Sequence, residues 1–176
     1  MVLETPRLTL RPLVASDAEG LHGCYGDADA MRFWDALPAR DVAETATRLQ
    51  LTLTADPRWH AGWAVVLKES GQFIGFVNYH NREPRSRRLA VGYILARAYW
   101  RRGLMTEAMR SFVTHCFAVL GAHRIEALIE PENAASLRLA QGLGFRREGL
   151  LRDGLLVADV YRNVEMLSLL EDEWRG

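Results

Sequence analysis

Lysine is all but missing from this chain of 176 residues: Lys68 stands alone among 22 basic side chains, and arginine supplies the rest. Cysteine is nearly as scarce, with Cys24 and Cys116 far apart and no partner Cys or His at metal-ligand spacing. That excludes a disulfide framework and a zinc site, so no metal is expected and both thiols read as small buried hydrophobes. Long apolar runs are missing too. The longest fall well short of the roughly 20 residues of a membrane helix, and Met1-Val2-Leu3-Glu4 leads straight into mixed sequence with no signal-peptide apolar region. A cytoplasmic protein without a membrane partner is expected. Net charge is zero, 22 basic against 22 acidic groups, which argues against a direct nucleic-acid partner, because nonspecific affinity for a polyanion comes from neutralising many phosphates. No internal repeat, low-complexity tract or Pro/Gly/Ser linker divides the chain. Residues 1–176 are therefore read as a single domain, long enough to bury roughly two thirds of its unfolded surface.

What is present is arginine, unevenly spread. Seven arginines fall between Arg82 and Arg102 with Glu83 as the only acid, six net positive charges in one stretch. Such a stretch is either a solvated loop or a site for a phosphate-bearing ligand, since guanidinium presents a planar fork of donors. An arginine-rich RNA-binding domain is a further reading, and it requires steeply salt-dependent affinity.

Hydrophobic periodicity orders the chain. Leu8, Leu10 and Leu13 mark a first strand over 7–13. Ser16-Asp17 has the form of a helix N-cap with Glu19 in the first turn, opening a short helix to about Gly26; a second helical stretch covers about 41–54. Met31-Arg32-Phe33-Trp34 between them reads as loop or helix end. Strand-like runs over 62–67 and 72–79 flank Glu69-Ser70-Gly71 as a hairpin. Leu89-Ala90-Val91-Gly92-Tyr93-Ile94-Leu95 is almost wholly apolar, the pattern of a strand covered on both faces and central in its sheet. Met105, Met109, Phe112, Val113, Cys116, Phe117 and Leu120 share one helical face, which Gly121 closes. A strand over 124–129, a short helix from Asn133 to Gln141 closed by Gly142 and Gly144, and two further strands to about Leu170 complete the chain. Strands and helices alternate only in part, so the expected class is α/β with a mixed sheet.

Two junctions carry chemistry. Trp100-Arg101-Arg102-Gly103-Leu104-Met105-Thr106-Glu107-Ala108 joins the central apolar strand to the amphipathic helix. A strand that passes through a glycine turn into a helix exposes the first helical N–H groups, which attract an anion together with the helix dipole. The stretch is neither a Walker loop nor a dinucleotide fingerprint, and a tight turn alone would also explain its glycine. The second junction, Glu130-Pro131-Glu132-Asn133-Ala134-Ala135-Ser136, leaves a strand and enters a helix. Asn133 is a good N-cap there, and Ser136 stands where a residue answers the cap.

In this order, W-x-x-G-x-M-T-E-A after an apolar strand, N-x-x-S, Leu143-Gly144-Phe145 and Glu148-Gly149-Leu150-Leu151-Arg152 resemble the GNAT superfamily of acetyl-CoA-dependent N-acetyltransferases. The opening Glu4-Thr5-Pro6-Arg7-Leu8-Thr9-Leu10-Arg11-Pro12 and the closing Glu173-Trp174 are similar to those of its branch of ribosomal-protein N-terminal acetyltransferases, the RimJ/RimL type. The resemblance spans nearly the whole chain. It implies an α/β (α+β) GNAT fold: a mixed, mostly antiparallel sheet of about seven strands flanked by helices and splayed between the fourth and fifth strands, with Gly92 the place for a bulge. It also implies acetyl-CoA as co-substrate and no metal. Arg101, Arg102, Gly103, Leu104, Met105 and Thr106 would form the pyrophosphate loop. Tyr93, Ile94 and Leu95 would hold the pantetheine arm as a neighbouring strand, with an N–H near Ile94 as oxyanion donor; Asn133 would meet the pantetheine and Ser136 the thioester sulfur. Trp34, Tyr79 and His80, with Trp59 and Trp63, are either acceptor-pocket or core residues.

The implied reaction is direct attack of a neutral amine on the acetyl thioester. Charge-assisted hydrogen bonds contribute about 1.5–3 kcal/mol each, so a few from the loop supply much of the roughly 8 kcal/mol of a micromolar complex. A coenzyme thiol titrates near about 8.5, so a hydroxyl such as that of Ser136 aids its departure without being indispensable, unless Ser136 serves only the cap. Members of the branch carry a glutamate two residues before the Gly-Tyr pair; here that position is Ala90. Glu148, Asp153, His22, His80 or a water chain then remain as base, and Glu148 either takes that catalytic role or simply orders its strand. At pH 7 stripping a proton costs roughly 1 kcal/mol for an α-amine and more than about 4 for a lysine amine. A weak base therefore favours an α-amine. The expected acceptor is a protein N-terminus, with a small amine (amino acid, polyamine or antibiotic) as the alternative; a noncatalytic acyl-CoA-binding module is the rival reading that Ala90 invites. Monomer and homodimer are equally compatible with the sequence.

Overall fold

In the computed structural model, which describes residues 1–176, the apolar runs become strands β1 (Leu3–Glu4), β2 (Leu8–Pro12), β3 (Ala61–Leu67), β4 (Gln72–Glu83), β5 (Arg88–Leu95), β6 (Arg124–Ile129), β7 (Arg146–Val157) and β8 (Val160–Leu170). They form one mixed sheet in the order β1-β2-β3-β4-β5-β6-β8-β7. Every neighbouring pair is antiparallel except β5 and β6, which are parallel. The eighth strand, against about seven expected, is β1, whose two residues are too few for any period to show. The helices are α1 (Ala18–Tyr25), α2 (Ala28–Met31), α3 (Val42–Thr54), α4 (Leu104–Ala118) and α5 (Ala134–Gly142).

Local chemistry explains most of these bounds. The Asp41 carboxylate accepts the Glu44 N–H at 2.8 Å and starts α3. Gly121, at φ +66°, turns the chain after α4 so that the Ala122 N–H donates to the Cys116 carbonyl at 3.0 Å. Asp17 departs from expectation: its side chain makes no cap to α1. The carboxylate is buried, and it accepts instead from the Val14 N–H and from the Arg11 guanidinium at 2.6 and 2.8 Å. A buried charge demands a charged partner, and Arg11 supplies one.

Strand alternation sends two sets of side chains to opposite faces. Leu8, Val77, Tyr79, Leu89 and Val91 pack toward α4 and α5 around fully buried Phe112, while Phe76 and Ile94 pack on the other face with Leu21, Cys24 and Leu49 of α1 and α3. Asn78 and His80 share the face of Phe76 by the same alternation. β5 is covered on both faces, as its apolar run predicts.

The sheet opens at its centre. β5 pairs with β6 only from Arg88↔Arg124 to Ala90↔Glu126, whereas β6 stays paired with β8 as far as Ile129↔Glu165. Counted without β1, the gap lies between the fourth and fifth strands. Gly92 is not its bulge: β4 and β5 keep an unbroken register from Gly75↔Leu95 to His80↔Ala90, and the irregularity lies beyond, between His80 and Glu83. No helix is long and apolar enough to cross a membrane.

Candidate active site

Hydrogen-bond parity on β5 decides what the open edge offers. The Ala96 N–H donates to the Ile74 carbonyl of β4, so the even residues, Ile94 and Gly92 among them, direct their N–H and C=O groups at β4. Odd residues face the gap. The free donors there are the N–H groups of Tyr93 and Leu95, on either side of Ile94, whose own N–H is turned to β4; the Leu95 carbonyl already accepts the Trp100 indole N–H at 2.7 Å.

The loop after β5 is built for an anion. Arg101 has φ +60° and Gly103 φ +72°, left-handed positions that turn successive backbone N–H groups toward one side. The N–H groups of Leu104, Met105 and Thr106, the free donors at the start of α4, donate to no backbone carbonyl. Glu107 in that first turn would repel an anion were it not held: it accepts from Thr5 Oγ1, the Arg7 N–H and Arg7 Nε at 2.6–2.8 Å. Arg7 Nη1 also donates to the Arg102 carbonyl at 3.0 Å, tying the N-terminal segment to the loop.

A cleft of about 590 Å³ runs along this loop and the open edge, bordered by Tyr93, Ile94, Leu95, Arg101, Gly103 and Thr106. Leu104, Met105, Asn133 and Ser136 also line it, so the expected donor-side residues meet with one exception. Arg102 lies outside, its guanidinium 5.5 Å over the Tyr99 ring. The rest of the arginine stretch is mostly committed to internal bonds, Arg82 and Arg87 to the carbonyls of Leu120 and Gly121 and Arg97 to Asp27 and Asp29.

A second cavity, about 570 Å³, lies across the gap. Asp35, His60, Asn78, His80, Gly92 and Glu130 are on its walls. Phe33, Trp34, Tyr93, Asn133 and Ser136 line both spaces, so the two join at the splay. At this junction the Ser136 N–H donates to Asn133 Oδ1 at 3.2 Å, and the Tyr93 hydroxyl donates to the Ser136 carbonyl at 3.3 Å. The cap thus uses the backbone of Ser136 and leaves its hydroxyl free. Burial raises the Tyr93 phenol to about 12, keeping it a proton donor.

Several expected residues lie elsewhere. Tyr79 is buried on the opposite face against Trp63, with its hydroxyl donating to the Pro57 carbonyl. Trp63 itself packs on Phe112 and His115, and Trp59 lies on neither cavity wall. Glu148 lines neither cavity. Arg124 grips both its oxygens at 2.6 and 2.7 Å, Ser168 Oγ donates to it at 2.6 Å, and these bonds hold its carboxyl at about 2. The geometry is that of a group ordering β6 and β8, not of a base. His22 bonds Thr45 Oγ1 between α1 and α3, and Asp153 is exposed in β7. Of the polar side chains that can take a proton, the second cavity holds His80 and also His60, Asp35 and Glu130, which the sequence reading passed over. No local motif marks these three.

Comparison with known proteins agrees with this geometry. The family model described as "Acetyltransferase (GNAT) domain" matches residues 7–146. The chain is 32% identical over 175 residues to the uncharacterized N-acetyltransferase p20 of Bacillus licheniformis, covering 99% of this chain and 98% of that one. A protein of Bacillus subtilis named as a candidate ribosomal N-acetyltransferase, YdaF, is 30% identical over 129 residues, 70% of each chain. The crystal structure of a GCN5-related N-acetyltransferase from Brucella melitensis superimposes with a TM-score of 0.89 at 27% identity, over 99% of this chain and 80% of that one. The chain therefore belongs to the GNAT acetyltransferase family, is an acyltransferase, and resembles the RimJ/RimL branch of that family.

Proposed function

We propose that the protein transfers an acetyl group from acetyl-CoA to a primary amine, with a protein N-terminal α-amine as the leading acceptor. The single observation that carries this reading is the junction at Ser136 of an anion-binding cleft on one side of the splay and a polar cavity on the other. Leu104, Met105 and Thr106 offer three N–H groups to the donor's diphosphate, and the edge of β5 offers Tyr93 and Leu95 to its amide-bearing arm. In the reaction the amine nitrogen bonds to the acetyl carbonyl carbon, the carbon–sulfur bond breaks, and its electron pair leaves on sulfur. The open-edge N–H of Tyr93 or Leu95 stabilises the charge that develops on the acetyl oxygen. Ser136 Oγ stands free to give a proton to the departing sulfur.

The acceptor side favours an amine that surrenders its proton easily. Position 90 carries no carboxylate and Glu148 is spent on Arg124, so neither of these positions supplies a carboxylate base at the gap. An α-amine, titrating near about 7.7–8.0, suits such a site better than an amine near about 10.4. Asp35, exposed at the cavity wall with no ion pair, supports a second reading in which a small cationic amine is drawn in. Release of free thiol from acetyl-CoA, measured with peptides bearing a free N-terminus, N-blocked peptides containing lysine, and polyamines, decides between them. The proposal expects the free N-termini to be turned over fastest; turnover of polyamines alone would replace it with the second reading, and no turnover of any amine would overturn both.

A further inference from the structure

The missing carboxylate at Ala90 leaves a position to fill, and the sheet shows what fills it. His80 on β4 pairs directly with Ala90 on β5. Residues directly opposite in an antiparallel pair set their Cβ atoms about 4.5–5.5 Å apart on the same face, so the small alanine leaves that space to the imidazole. The ring leans along β5 toward the donor cleft: His80 Cε1 lies 3.8 Å from where a Cβ on Gly92 would stand. That Cβ would also come within 2.5 Å of Asn78 Oδ1, so the missing side chain at Gly92 leaves Asn78 the room it occupies, while His80 would only be in ordinary contact.

The surroundings are those of a prepared polar site. Asn78, only 7% exposed, has an Oδ1 with no hydrogen-bond partner, and His60 has a buried Nε2 with none. Both residues line the same cavity as His80. A buried polar atom left without a partner is destabilising, and a hydrogen-bonding ligand in the cavity would satisfy it.

We propose that His80 is the general base of the acetyl transfer, taking the place of the absent carboxylate, with His60 and Asn78 as polar anchors for the incoming amine. The inference rests on the acetyl-transfer reading above. As the amine nitrogen bonds to the acetyl carbon it gains positive charge, and one of its protons passes to an unprotonated ring nitrogen of His80. The electron pair of the breaking carbon–sulfur bond goes to sulfur, which takes a proton from water or from the Ser136 hydroxyl, the serine then regaining one from solvent, and His80 returns its own proton to solvent. Four ionisable groups belong to the cavity wall or to the strand beyond Ala90, and two of them, His60 and Asp35, act on the imidazole. His60, ahead of β3, and Asp35, after α2, are the two free ones; Glu126 of β6, beyond Ala90, is held by Arg124 at 2.7 Å, and Glu130 is neutralised by Arg162 at 2.9 Å. Burial, reinforced by His60 and opposed by Asp35, sets the His80 imidazole below its usual 6.5. It is thus unprotonated and able to accept at neutral pH.

The test is the pH profile of kcat/KM with a free-N-terminus peptide, for wild type, His80→Ala and His80→Gln. Two protons must be lost for wild-type reaction below the His80 titration, one from the imidazole and one from the amine, and only the amine's above it. Log kcat/KM should therefore climb with a slope of two at low pH and of one between the His80 and amine titrations. Both variants should bind CoA as wild type does, lose roughly 10²–10⁴-fold in kcat/KM, and show a slope of one down to the lowest pH. A folded variant within about threefold of wild type, or one that keeps the slope of two, overturns the proposal. Wild-type protein that binds CoA and acetylates no amine overturns the acetyl-transfer reading instead, and the proposal with it.

Discussion

Ser136 illustrates how one residue can hold two jobs with two different atoms. Its N–H answers the Asn133 cap, which alanine would preserve, and its hydroxyl stays unbonded, free for the proposed proton transfer to sulfur. Ser136→Ala should therefore leave the melting temperature within about 2 °C of wild type, since loss of a cap would cost about 1 kcal/mol and roughly 2–4 °C in a domain of this size. The change should appear in turnover, as a fall of roughly tenfold or more in kcat with kcat/KM falling equally. Thermal melts and steady-state kinetics together check it, and a lower melting temperature with intact kcat would show that the cap is the only role. Gly103 answers to backbone geometry instead. At φ +72° a β-branched residue is strained, so Gly103→Val should distort the free N–H groups of Leu104, Met105 and Thr106 and weaken CoA binding about tenfold or more. Calorimetry on the folded variant would expose an error in the loop assignment if the affinity were unchanged.

At the scale of elements, local signals were legible and distant ones were not. The amphipathic stripe of α4, the β3–β4 hairpin and the Asn133 cap each lie within a few consecutive residues, and each is where its pattern puts it. The turn from β5 into α4 was legible for the same reason. Asp17 misled because Arg11, one turn of chain earlier, and the Val14 N–H take its carboxylate and outcompete a cap to α1. The acceptor cavity was largely hidden: Asp35, His60, His80 and Glu130 come from four separate segments that only the sheet brings together. Tyr79 and His80 are neighbours in sequence, yet alternation puts one in the core and the other in the cavity. Glu148 shows a motif residue serving structure. Its carboxyl is held at about 2 by Arg124 and Ser168, below the unfolded value near 4.5, so its stabilisation is complete above that value and vanishes as pH falls toward 2. Because Glu148 is 44% exposed, solvent screening limits the effect to about 1 kcal/mol. Glu148→Gln should be destabilised by about that much at pH 7, and the gap between variant and wild type in denaturant titrations should close between pH 4.5 and pH 2. A gap that persists at low pH would mean the pair contributes something other than charge.

For the whole molecule, two spaces meet at Ser136 across the splay of the sheet, and the proposed reaction needs both of them filled at once. Neither cysteine offers a covalent relay: Cys24 and Cys116 are fully buried away from the junction, and burial raises the Cys24 thiol to about 12 and the Cys116 thiol higher still. Acetyl transfer should therefore pass directly between donor and acceptor. The most direct test is the kinetic order, read from initial rates with acetyl-CoA and a peptide amine varied together and from thiol release when the amine is left out. Lines that intersect in the double-reciprocal plot, no burst of thiol without acceptor, and an unmodified protein mass after exposure to acetyl-CoA are the predicted result. Parallel lines, a stoichiometric burst and a protein heavier by one acetyl group would contradict it.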